Sequence, residues 1–170
     1  SIHFAAGRAL WLDEAMIDRC RVERVRIMPG AKALVQTMAA RGAATVLVSG
    51  GFTRFADPVG REIGFGRVVA NVLDIAAGQL DGTVQSPIVD AARKRAELEE
   101  ACIRHSIVRA LSMAVGDGAN DIPMIEASGL GVAYHAKEKA RAAADAEIRH
   151  GDLSVLLYAQ GIRRKDWIES

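Results

Sequence analysis

Two short apolar runs, each cut off by a glycine-rich polar turn, constrain this chain more than any other feature. Residues 43–48 read AATVLV and stop at Ser49-Gly50-Gly51; residues 111–115 read LSMAV and stop at Gly116-Asp117-Gly118-Ala119-Asn120-Asp121. A short apolar run without polar alternation fits a strand buried on both faces. Such strands need helices to cover them, and helix-like segments do stand between the runs. Met28-Pro29-Gly30 introduces one through about Arg41, with Leu34, Val35 and Met38 on a single stripe and Gly42 as its C-cap. Another follows from Phe52, and a third spans residues 90–104, rich in Ala, Lys, Arg and Glu. Residues 68–75, the turn AAGQLDG and Thr83-Val84 read as two extended pieces joined by a turn. Beyond the second polar turn the pattern predicts a short helix through Ile125, a strand at 131–134, a helix at 137–144, a strand at 146–148 and a closing helix at 153–160. The expected architecture is α/β, with a doubly wound, mostly parallel sheet.

At 170 residues, half of them apolar and 25% charged, the chain suits one compact globular domain. Lys plus Arg number 22 against 21 Asp plus Glu. That balance argues against a nucleic-acid or membrane-surface partner, which would call for a basic face. The basic run Arg163-Arg164-Lys165 reads as a solvated tail. No apolar stretch approaches the ~18 residues of a membrane span. Arg8 and Asp13 interrupt the N-terminal apolar residues, so no signal peptide is expected. Cys20 and Cys102 lack metal-ligand spacing and read as small apolar residues of a reducing compartment, which points to the cytoplasm.

Ligands of open α/β sheets bind outside the carboxyl ends of the strands. Both polar turns fall there. Turns built from Gly and Ser let backbone N–H groups approach an anion, and the Ser49 hydroxyl adds a donor. Asp117 stands where it can bind a hard cation such as Mg²⁺ through oxygen. Asn120 can donate to a phosphoryl oxygen, and Asp121 can hold a metal-bound water or a neighbouring cation. Lys94 can supply a point charge to a phosphoryl group. Taken singly, each feature has an ordinary reading. Gly, Ser, Asp and Asn are common turn residues. Arg93-Lys94-Arg95 with Glu97, Glu99 and Glu100 reads as an exposed helix face with i,i+4 pairs. The turn chemistry alone leaves both readings open.

Taken together, SGGFT at 49–53, ANVLDIAAGQLDGTV at 70–84, IVDAARK at 88–94 and VGDGANDIPMIEASGLGVAYHAK at 115–137 resemble the phosphoserine phosphatase family of the haloacid dehalogenase superfamily. The resemblance runs from about Pro29 to Leu157 with the motifs in the family's order. It implies a doubly wound core with a small cap, here a partial helical cap at 1–28 and a core at 29–170. It also implies Mg²⁺-dependent hydrolysis of O-phospho-L-serine to L-serine and phosphate, the last step of serine synthesis. Position by position, Ser49 and Gly50 are similar to the family's phosphate-binding pair and Lys94 to the lysine that neutralises the phosphoryl group. Asp117 is similar to the Mg²⁺ ligand, Asn120 to the substrate-contacting asparagine, and Asp121 to a residue supporting the metal shell. FAAGR at 4–8 resembles part of the cap, which makes Phe4 a lining residue and Arg8 a ligand for the serine carboxylate. The implied partner is a small phosphomonoester, and a homodimer is left open.

The family's chemistry starts at a D-x-D-x-(T/V) motif on the first core strand. Its first aspartate attacks phosphorus and its second handles the proton. No two aspartates between Asp13 and Asp166 are separated by a single residue. The expectation is therefore the family's enzyme without its N-terminal portion, its core lacking the first strand and having little activity alone. Two other readings stand beside it: a phosphatase of another small phosphomonoester, and a non-catalytic phosphate-binding protein.

Overall fold

A computed structural model describes residues 26–76 and 79–168. Helix α1 (Ala31–Ala40) leads into strand β1 (Val46–Phe52), helix α2 (Thr53–Ile63) and strand β2 (Arg67–Asn71). A hairpin of β3 (Leu73–Ala76) and β4 (Gln79–Val84) precedes helix α3 (Ala91–Arg104). Strand β5 (Met113–Gly116), helix α4 (Ile122–Ala127), strand β6 (Leu130–Tyr134), helix α5 (Glu138–Ala143), strand β7 (Ala146–Ile148) and helix α6 (Val155–Ala159) complete the order. The α/β class expected from the sequence is present. Among the described residues, no helix is long and apolar enough to cross a membrane.

The parallel strands form two sheets. β1 pairs with β2, and β5, β6 and β7 pair in that order. The hairpin β3–β4 is antiparallel and stands apart from both. Strand β6 is central in its sheet, and Val132 and Ala133 are fully buried. Burial on both faces explains its unbroken apolar sequence. One core cluster lies against this sheet, where Val132, Tyr134 and Ile148 meet Leu34 of α1 and Leu156, Leu157 and Ile162 at the C-terminal end. A second cluster joins Ala31 and Val35 of α1 to Ile63 of α2. Helix α1 thus uses neighbouring faces to hold the two sides of the molecule together. Each fully buried Val, Leu or Ile in these clusters stabilises the fold by roughly 1.5–3 kcal/mol.

Several boundaries differ from the sequence expectation. β1 runs on through Ser49, Gly50 and Gly51 to Phe52, because a register shift accommodates the turn residues: Ser49 pairs with Ala70 and Phe52 with Asn71. The extended piece expected at 68–75 breaks at Val72 into β2 and β3, which belong to different sheets. Residues Arg109–Leu111 form a 3₁₀ turn, so β5 starts only at Met113. The basic run is exposed, as expected, but is not a tail. Arg164–Asp166 form a 3₁₀ turn in which Arg163 pairs with Asp166 at 3.1 Å. The Trp167 indole N–H donates to the Ile162 carbonyl, and the Ile168 amide donates to the buried Thr37 hydroxyl at 2.8 Å. Cys102 is half-buried and free, whereas Cys20 lies outside the described residues.

Gly60 shows how closely α2 sits on the sheet. A Cβ added there would lie 2.3 Å from Val68 Cγ2 on β2. Helix propensity alone favours Gly60→Ala by about 1 kcal/mol. Overpacking against a stiff β-branched neighbour costs about 1–3 kcal/mol. The steric term is expected to win, so Gly60→Ala should lower the urea midpoint and Tm; a raised midpoint would show that α2 is free to move off β2.

Candidate active site

The two polar turns are held by different devices. At the end of β1, the Ser49 hydroxyl accepts the Gly51 amide at 3.0 Å, which closes a tight local turn. The register shift takes Gly50 and Gly51 out of the strand pairing, and the Gly50 carbonyl accepts instead from the Asn71 side-chain amide at 2.9 Å. The Asn71 Oδ1 in turn accepts the Val89 amide at 2.7 Å. This links the turn to the segment that enters α3.

Helix α3 is capped by Asp90, whose carboxylate accepts the Arg93 amide at 2.8 Å. An N-cap carboxylate satisfies one of the helix's unpaired first-turn donors. Lys94 then falls on the inner face, only 6% exposed, and its Nζ lies 2.5 Å from Asp121 Oδ1. The other oxygen of Asp121 accepts the backbone amides of Asp117 and Gly118, each at 3.1 Å. The carboxylate therefore ties the lysine and the loop after β5 into one unit. Gly116 makes this fold-back feasible, because a Cβ there would come within 2.4 Å of Asp121 Cβ.

Asp117 and Asn120 are exposed. The Asp117 carbonyl accepts the Lys137 amide at 3.2 Å, while its carboxylate has no hydrogen bond or ion pair among the described residues. An exposed carboxylate without a partner at a strand end is a suitable single oxygen ligand for a hard cation. Mg²⁺ keeps several waters and uses one or two carboxylates plus substrate oxygens. Among the described residues, no group of three or more His, Cys, Asp or Glu could hold a metal. The chemistry of the Asp117 carboxylate fits one oxygen ligand of such an ion. Phe4 and Arg8, the expected cap residues, lie outside the described residues, as does most of the expected cap at 1–28.

Two expectations about α3 are corrected. Lys94 is buried and paired, and Glu97 is not on a solvated face: its side chain has no exposure at all. Glu97 accepts from Arg93 of its own helix and from Arg67 at 3.3 Å, the first residue of β2. The outward i,i+4 pair Arg95–Glu99, at 2.9 Å, and the half-exposed Glu100, 4.0 Å from Arg104, behave as the sequence suggested. The sequence reading also passed over Asn71, although a polar residue within the apolar stretch RVVANVL was a visible signal.

Removing one member of a buried ion pair leaves a charge without compensation and costs about 3–5 kcal/mol. Asp121→Asn is expected to fall near the lower end of that range. Its amide group must face either the Lys94 ammonium or the two loop amides, donor against donor. Urea unfolding with an unchanged m-value and a clearly lowered midpoint is the expected outcome. A midpoint equal to that of the unsubstituted chain would show that the pair does not hold the loop.

Comparison with known proteins shows what the chain is similar to. The chain is 37% identical over 166 residues to a phosphoserine phosphatase of Streptomyces coelicolor, covering 98% of this chain and 40% of that protein. It is 43% identical over 148 residues to a phosphoserine phosphatase of Albidiferax ferrireducens, covering 85% of this chain and 62% of that protein. The chain therefore spans about half the length of these relatives. Among solved structures, a probable phosphoserine phosphatase of Vibrio cholerae superposes with a TM-score of 0.84 at 34% identity, over 92% of this chain and 50% of that one. The family model for haloacid dehalogenase-like hydrolases matches residues 3–126, and the chain belongs to that family.

Proposed function

We propose that the chain carries the phosphate- and metal-binding side of a phosphoserine phosphatase. The reaction is Mg²⁺-dependent hydrolysis of O-phospho-L-serine to L-serine and phosphate, serving serine synthesis in the cytoplasm. The observation that carries this reading is the buried Lys94–Asp121 pair, which fixes a cation beside the loop that bears Asp117. Its likeness over most of the chain to phosphoserine phosphatases supports the substrate.

In this reading the Ser49 hydroxyl and Gly50 backbone receive the phosphoryl oxygens at the end of β1. Lys94 neutralises part of their charge as a point cation held in place in advance, so little reorganisation accompanies binding. Asn120, exposed beside the loop, donates its amide to the substrate. Asp117 would hold Mg²⁺, which when bound supplies charge stabilisation to the phosphoryl oxygens. Asp121 has both oxygens engaged, one by Lys94 and one by the loop amides, and supports the metal shell by holding that lysine and that loop in place. Arg8 would take the serine carboxylate, with Phe4 lining that end.

None of these groups is placed in the reading as a nucleophile. Without a D-x-D pair in the sequence, the chain by itself binds and orients phosphate but forms no aspartyl-phosphate. Loss of a covalent nucleophile lowers rates by several powers of ten. The purified chain is therefore expected to give little or no phosphoserine hydrolysis with Mg²⁺ present; measurable Mg²⁺-dependent turnover would require a different nucleophile. In calorimetric titrations of the same chain, Asp117→Asn should weaken Mg²⁺ binding by about tenfold or more. Unchanged metal affinity would remove Asp117 as the ligand.

A further inference from the structure

The structure assigns to Asn71 the task of positioning the Ser49–Gly50 turn for an oxyanion, an inference that rests on the phosphate reading of that turn. Asn71 closes β2, is 6% exposed and has the two ends of its amide group committed to backbone on separate segments. Its Nδ2 donates to the Gly50 carbonyl at 2.9 Å, and its Oδ1 accepts the Val89 amide at 2.7 Å. Asn71 is opposite Phe52 in the ladder, directly across the register shift that displaces Gly50 and Gly51.

These facts combine into a single device. A residue extruded from a strand loses its ladder partner, and a backbone group left without one costs free energy unless another group satisfies it. By capturing the Gly50 carbonyl, Asn71 satisfies that acceptor and fixes the orientation of the Gly50–Gly51 peptide unit. The amide of a peptide unit points opposite to its carbonyl, so holding the carbonyl toward β2 directs the Gly51 N–H away from β2, where the Ser49 hydroxyl accepts it. The Ser49 oxygen is thereby anchored through its lone pair, and its own proton stays available to donate to a ligand. The bond to Val89 fixes the start of the segment leading to α3, so the turn and Lys94 are positioned from one side chain. Gly50 sits close to that same segment, its virtual Cβ 3.5 Å from the Val89 carbonyl. Asn71 touches no ligand in this scheme and acts only through the turn.

Asn71→Asp keeps size and shape but sets a carboxylate oxygen against the Gly50 carbonyl oxygen, while the bond from the Val89 amide survives. Asn71→Ala removes both bonds. Titration of the purified chain with inorganic phosphate is expected to show both substitutions weakening binding by tenfold or more. Backbone amide resonances of Gly50, Gly51 and Val89 should move, and those of β5 and β6 should stay in place. Thr37→Val, which deletes a buried hydroxyl bond elsewhere, serves as the control: it should lower Tm and leave phosphate affinity unchanged. If the unsubstituted chain binds phosphate and the folded Asn71 variants bind it equally well, this inference is overturned and the phosphate reading stands. If the unsubstituted chain binds no phosphate, both fall together. A chain unfolded by both substitutions also overturns it, because Asn71 would then be holding the fold rather than the turn.

Discussion

The ion pair between Lys94 and Asp121 is the contact on which the remaining geometry depends. Both groups are almost fully withdrawn from water, and both need the other to be there. A charge in that environment is costly unless it is paired and hydrogen-bonded, and the loop amides of Asp117 and Gly118 add two bonds to the second oxygen of Asp121. The loop is therefore shaped by the same carboxylate that holds the lysine. Replacing such a pair by well-packed apolar residues often costs nothing in stability. Its value here lies in position: a cation and an exposed carboxylate, Asp117, are set at the same strand end before any ligand arrives.

Much of the fold was legible because its signals are local. The unbroken apolar run of β6, the helical stripe of α1 and the glycine after it each follow from a short window of sequence. The parts that escaped depend on distant partners. Nothing in SGG says that the strand continues through it; that follows from Asn71, which supplies the carbonyl partner from β2. Nothing in KRAELEE says that Glu97 is interior; that follows from Arg67 on another element. The break at Val72 likewise reflects which sheet each half joins. The residue types of the site were readable from the turns and from Lys94, but turn composition alone could not distinguish a binding edge from an ordinary loop.

The groups proposed to bind phosphate share a physical character. They are fixed backbone, short hydroxyl or amide side chains and one lysine immobilised by its counter-ion, with few rotatable bonds left to freeze when an anion arrives. Affinity for a phosphoryl group then comes from preorganised dipoles and charge. In the proposed function, such an edge recognises and orients a phosphomonoester without itself breaking a bond.

Helix α3 carries one further consequence. Lys94 reaches toward the loop after β5, and Glu97, three positions later, reaches Arg67 at the start of β2. Among the described residues the two parallel sheets are not paired with each other, and this helix is charge-coupled to each of them separately. A helix rises about 1.5 Å and turns about 100° per residue. Sliding α3 by a single residue would swing Lys94 off Asp121 and Glu97 off Arg67 at once, stranding the buried Lys94–Asp121 charges and leaving Glu97 only Arg93 of its own helix. Apolar surfaces tolerate small slips; this one does not. The helix acts as a vernier between the sheets, setting the axial registry of one against the other to within a fraction of a turn.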